Sequence, residues 1–180
     1  MFEKKKPEEL GRTGADDVHE SNKNKIIIIL DDVRSMHNVG STFRTCDAFA
    51  IEAIYLCGYT PIPPHRDIHK TALGATETVA WKHFTTITDA VAAAKANGYA
   101  IVAVEQVHNS TSLQDFKSDG TPIALVFGNE VSGVNDNILA IADAAIEIPQ
   151  WGAKHSLNIS VSVGIVLWEL VRGMRGMASN

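Results

Sequence analysis

The chain has 180 residues, 45% hydrophobic and 21% charged, with a formal net charge of -5 at pH 7. That composition suits a soluble globular domain with a sizeable core, and no apolar run is long enough to span a bilayer. An acidic balance argues against a general nucleic-acid binder, because neutralising phosphates takes lysine and arginine, although a locally basic face can sit on an acidic body.

Residues 1–24 are polar, mixed in charge and without apolar periodicity, and are expected to form a flexible charged tail ahead of a single domain at 25–180. The Lys4-Lys5-Lys6 run suits either a solvated tail or a contact with RNA. With this charged start no secretory signal is expected, and Cys46 and Cys57 show no metal-ligand spacing. Both read as buried thiols, and a cytoplasmic location is expected.

Lys25–Leu30 is an isoleucine run, the pattern of a strand buried on both faces. A helix is predicted over Asn38–Ala50, with Val39, Phe43, Cys46 and Ala50 on its buried face. Further strands are predicted at Ala53–Cys57, Val79–Phe84, Tyr99–Val104, Ile123–Phe127 and Ala145–Ile148. Helices are predicted at His65–Leu73, Asp89–Asn97, Asn135–Ala142 and Leu157–Met174, with Gly74 and Gly98 as stops. The alternation describes an α/β fold: a mostly parallel sheet with helices on both faces. Ligands in such sheets sit beyond the carboxyl ends of the strands, here the loops after Val104, Phe127 and Ile148.

Dinucleotide and phosphate-loop fingerprints are absent. His65 and His69, four apart, lack a third ligand, so no metal is expected. Three segments mix glycine with isolated polar residues at element ends: Met36–Gly40, Phe127–Gly133 and Gly152–Gly164. In the third, Ser156-Leu157-Asn158-Ile159-Ser160 opens the last helix, and free N–H groups at a helix start suit a polar ligand. A tight helix contact would use the same small residues. Glu130 could cap the helix at Asn135 or pair with a basic residue. Asn38 and Arg44 are six apart, about 240° of net rotation on a helix, and so do not share a face. Taken alone, that geometry favours an N-capping Asn38 and a solvated Arg44.

Taken together, the segments resemble the three motifs of the SpoU-type RNA ribose 2′-O-methyltransferases of the SPOUT superfamily. The matching residues are His37-Asn38-Val39-Gly40 through Arg44 to Ala48, Leu125 through Gly128-Asn129-Glu130 to Val134, and Ile148-Pro149-Gln150 through Ser156-Leu157-Asn158 to Ser162. The resemblance implies a SPOUT-like domain with a C-terminal trefoil knot, a rare exception to normal chain topology. It implies S-adenosyl-L-methionine held by Val104, Glu105, Gly128, Asn129, Ile148, Gln150, Ser156 and Leu157. Gln150 departs from the methionine or other apolar residue frequent in the family. The implied catalytic residues are Arg44, Asn38, Glu130, Ser156 and Asn158, in a homodimer that shares its active site between chains. The implied partner is RNA, with no membrane involved; a short tail where some members carry a separate RNA-binding domain tilts the expectation toward transfer RNA over ribosomal RNA, and local charge offers Arg34, Arg44, Arg66, Lys70 and Lys154 as its contacts. The alternative is a catalytically silent RNA-binding protein with the same fold.

Overall fold

The computed structural model describes residues 2–6, 9, 23–153 and 156–176. Most of the expected N-terminal tail lies outside the described residues, and so does Lys154. The elements run β1 (Asn24–Asp31), α1 (Met36–Ala48), β2 (Ile51–Cys57), α2 (Arg66–Ala72), α3 (Ala75–Thr78), β3 (Ala80–Phe84), α4 (Ile87–Ala96), β4 (Ala100–Val104), β5 (Thr111–Ser112), β6 (Ile123–Phe127), α5 (Asp136–Leu139), β7 (Ala144–Glu147) and α6 (Ile159–Met174).

The strands form one sheet in the order β3-β2-β1-β6-β4-β7-β5, and every pairing is parallel. The isoleucine run explains its centre. Alternate side chains of a strand point to opposite faces, so Ile26, Ile28 and Leu30 enter one core cluster and Ile27 and Ile29 the other. The first cluster is closed by Val39, Phe43 and Cys46 of α1 and by Val163, Val166, Leu167 and Leu170 of α6. The second is closed by Ala90, Val91 and Ala94 of α4 and Ile138 of α5. Each large apolar side chain so buried contributes roughly 1.5–3 kcal/mol. The expected mostly parallel sheet with helices on both faces is therefore what the chain builds.

α1 and α2 meet closely at Gly40, where a Cβ would run into the backbone carbonyl of Ile68 and the Thr71 hydroxyl. Thr71 Oγ1 also donates to the His37 carbonyl at 3.2 Å, which ties the first turn of α1 to α2.

Several expected elements differ in detail. Ala50 leaves the buried face of α1, because the helix ends at Ala48 and Ala50 turns toward β2 with φ of 49°. α5 covers only four residues, since Asn135 is its N-cap and Asp143 is tied to β4 through the Ile101 N–H at 2.7 Å. The short α3 follows Gly74, which ends α2 but does not end helical structure. α6 begins after Leu157, with Asn158 as its N-cap.

Candidate active site

A cavity of about 380 Å³ opens at the carboxyl ends of β4, β6 and β7. Its wall includes all eight residues expected to hold the cofactor: Val104, Glu105, Gly128, Asn129, Ile148, Gln150, Ser156 and Leu157. Phe127, Glu147, Ile159 and Ser162 also line it and were not expected. Periodicity assigns Phe127 and Ile159 to the core, and only the alignment of strand ends reveals their second role.

The loop after β6 is shaped by glycine and by Asn129. Asn129 Oδ1 accepts from the N–H groups of Val131 and Ser132, both at 2.9 Å, and its Nδ2 donates to Ser132 Oγ at 2.8 Å. The side chain of Asn129 is thus engaged in closing its own turn. A Cβ on Gly128 would overlap the Gly133–Val134 backbone, so only glycine lets the two arms of the turn touch. Gly133 has φ of 68°, and its missing Cβ leaves room for the Glu105 carboxylate. Glu105 accepts from the Val134 N–H at 3.0 Å and the Gln106 N–H at 2.9 Å, locking the β4 loop to the β6 loop.

Asn38 joins the three motifs. Its Nδ2 donates to Glu130 Oε1 at 3.1 Å, and its Oδ1 accepts from Asn158 Nδ2 at 3.0 Å. Asn158 in turn caps α6, accepting from the Ser160 N–H at 2.9 Å and the Ser160 hydroxyl at 2.7 Å. The cap of α1 is Ser35, which accepts from the Asn38 N–H at 3.3 Å, so Asn38 is not the N-cap and its side chain is free for the site. Glu130 caps nothing either; Asn135 caps α5 unaided.

The structure brings together Asn38, Glu130 and Asn158, with Ser156 on the cavity wall. It does not bring Arg44 to them. Arg44 is exposed on α1, does not line the cavity, and makes no hydrogen bond or ion pair with the described residues. The described cavity wall holds three carboxylates, Glu105, Glu130 and Glu147, and no lysine or arginine.

The cations expected to meet RNA are scattered. Arg34 is exposed in the loop before α1. Arg66 and Lys70 stand on α2, with Lys70 Nζ 2.7 Å and Arg66 Nε 3.7 Å from Asp67 Oδ1. The hydrogen bond from Lys70 holds the Asp67 carboxyl below its ordinary range. Among the described residues no cluster could hold a metal ion; His65 Nδ1 instead accepts the Asp67 N–H at 3.2 Å as the cap of α2. Both cysteines are buried and free; burial pushes the Cys46 thiol up and takes Cys57 to about 12. No helix among the described residues is long and apolar enough to cross a membrane.

α6 carries a second apolar face. Val161, Ile165 and Trp168 are 48%, 38% and 55% exposed, whereas Val171 on the same helix is buried. Their spacing of four and three residues places them on one side, away from the core.

Comparison with known proteins agrees with this architecture. A tRNA (guanosine(18)-2′-O)-methyltransferase of Aquifex aeolicus is 34% identical over 87% of this chain and 73% of that protein. The crystal structure of the A. aeolicus TrmH/SpoU tRNA modifying enzyme superposes with a TM-score of 0.79 at 28% identity, covering 91% of this chain and 83% of that one. An AdoMet-bound rRNA methyltransferase from Sinorhizobium meliloti superposes at 0.78 with 28% identity, covering 93% of this chain and 62% of that one. Against three staphylococcal TrmH-family proteins, 28–30% identical, the chain spans 58–61% of their length. The family model of the SpoU rRNA methylases matches residues 25–168, and the chain belongs to that family.

Proposed function

We propose that this chain transfers a methyl group from S-adenosyl-L-methionine to a ribose 2′-hydroxyl of structured RNA, transfer RNA rather than ribosomal RNA. The observation that carries the reading is the joining of Asn38, Glu130 and Asn158 at the edge of a glycine-shaped cavity. The cavity fits the cofactor. Its volume lies in the range of small-molecule sites, Val104, Ile148 and Leu157 offer an apolar wall, and the three carboxylates suit a sulfonium cation. Bound there, the cofactor supplies an electrophilic methyl group.

The protein's part is alignment and charge. The Asn38–Glu130 hydrogen bond joins the first turn of α1 to the loop leaving β6, and Asn158 fixes the other side of Asn38. Ser156, on the cavity wall, is placed to orient cofactor or ribose. Arg44 is assigned the RNA phosphate next to the reacting ribose and the developing alkoxide charge. A guanidinium with a pKa above about 12 is a poor base but a strong anion partner.

Arg44 stands outside its own chain's cavity, so the site is completed by a second copy in a homodimer. The exposed Val161, Ile165 and Trp168 face of α6 supports that assembly. The knotted C-terminal passage of SPOUT proteins belongs to the same reading, supported by the superposition on the A. aeolicus TrmH/SpoU enzyme. Arg34, Arg66, Lys70 and Lys154 are assigned to RNA phosphates, which predicts binding that weakens steeply with salt. The cytoplasm, where unmodified RNA is met, is the proposed location. Transfer of labelled methyl to unmodified RNA, followed by identification of a 2′-O-methyl nucleoside, tests the proposal.

A further inference from the structure

Two loops that line the cavity each carry a large apolar side chain that the described residues leave exposed. Trp151 is 90% exposed and Val131 84% exposed. They stand on different loops, the first after β7 and the second after β6. Both loops line the cavity, through Gln150, Ser156 and Leu157 on one side and Gly128 to Gly133 on the other. A tryptophan left this open in water is unusual for a folded chain, and its place beside a ligand cavity points to an occupant.

Charge decides what kind of occupant. The described wall has Glu105, Glu130 and Glu147 and no cation, so this wall by itself offers a phosphate no attraction. A flat, neutral nucleobase does gain. Unpaired bases bind proteins largely by stacking on aromatic rings, and that contact needs no positive charge. At Gly152, next in the chain, no described atom lies within 4 Å of where a Cβ would be.

We infer that Trp151 is a stacking platform for an unpaired nucleobase of the substrate RNA, at or next to the reacting nucleotide. The inference rests on the RNA methyltransferase reading and adds a specificity-determining residue to it. Trp151 thus grips the base while Arg44 and the other assigned cations hold the backbone.

The test uses the full chain, unmodified transfer RNA made by transcription, and the variants Trp151→Ala and Trp151→Phe. Stacking is worth roughly 1–3 kcal/mol per base, so Trp151→Ala should weaken RNA binding about 5- to 150-fold. Trp151→Phe should stay within about threefold of wild type, because a π face remains. Cofactor affinity and the mass in sedimentation should not change in either variant. RNA should quench tryptophan emission in the wild-type chain, and most of that quenching should vanish in Trp151→Phe. RNA affinity of Trp151→Ala within twofold of wild type would overturn the inference. So would a loss of dimer mass or of cofactor affinity that matches the loss of RNA binding, since Trp151 would then serve a second copy or the cofactor. A wild-type chain that neither transfers methyl nor binds RNA would instead bring down the underlying reading, and the inference with it.

Discussion

The side-chain amide of Asn158 donates to Asn38 across 3.0 Å, joining residues 120 positions apart at the starts of α1 and α6. Glu130 completes the set from the loop after β6. Replacing Asn38 by alanine removes both contacts and leaves a carboxylate and an amide without their partner. The fold should persist, because the α1 cap belongs to Ser35. Methyl transfer by Asn38→Ala should fall by roughly a hundredfold, the scale of a misplaced reacting group. Single-turnover assays check the rate and circular dichroism checks the fold.

Gly128→Ala tests the cavity itself. A methyl group there meets the Gly133–Val134 backbone, which cannot step aside while Glu105 holds the Val134 N–H. The expected cost is about 1–3 kcal/mol of overpacking, with loss of cofactor binding by calorimetry. Unchanged cofactor affinity would mean that the β6 loop does not shape the binding site.

Arg44 makes a prediction about assembly. Arg44→Ala should abolish transfer while keeping cofactor binding. Mixed with Asn158→Ala, also inactive, it should form heterodimers with one intact shared site and recover about a quarter of wild-type activity. No recovery after subunit exchange would place Arg44 in its own chain's site. Trp168→Glu, on the exposed face of α6, should shift the chain to monomer and abolish transfer with it.

Asp31 gives a pH signature of stability. It is 7% exposed at the end of β1, and its carboxyl is pushed up to about 6 from an ordinary 3.8, first by burial and then by the charge of Asp32. Below about pH 4 both folded and unfolded chains hold the proton, and the group is neutral in effect. As pH rises from about 4 to 6 the unfolded chain ionises freely and the folded one does not, so stability is lost. Asp31→Asn should therefore stabilise the chain by about 1–3 kcal/mol at pH 8 and by nothing near pH 3.5. Denaturant titrations at the two values check the sign.

The sheet was legible because isoleucines at Ile26–Ile29 can only be buried on both faces, and because strand and helix alternate. The cavity wall was legible because glycine and small polar residues stood where strands end. Two helical details were not. α3 follows a glycine that local rules treat as a stop, and α5 is shortened by the tertiary bond from Asp143 to Ile101. The Glu105 bond to Val134 spans two loops, so no local pattern could announce it. Arg44 received a role only through family resemblance; its six-residue spacing from Asn38 already turned it to another face of the helix, and it is exposed there. Trp151 sits in a loop without periodicity, where exposure is visible only in three dimensions.

The most direct measurement is transfer of labelled methyl from S-adenosyl-L-methionine into unmodified total RNA, with digestion to nucleosides and mapping of the product. A single class of 2′-O-methyl nucleoside is expected, located in transfer RNA and absent with Asn38→Ala. Label on a base, or no label in any RNA while the cofactor binds, would contradict it.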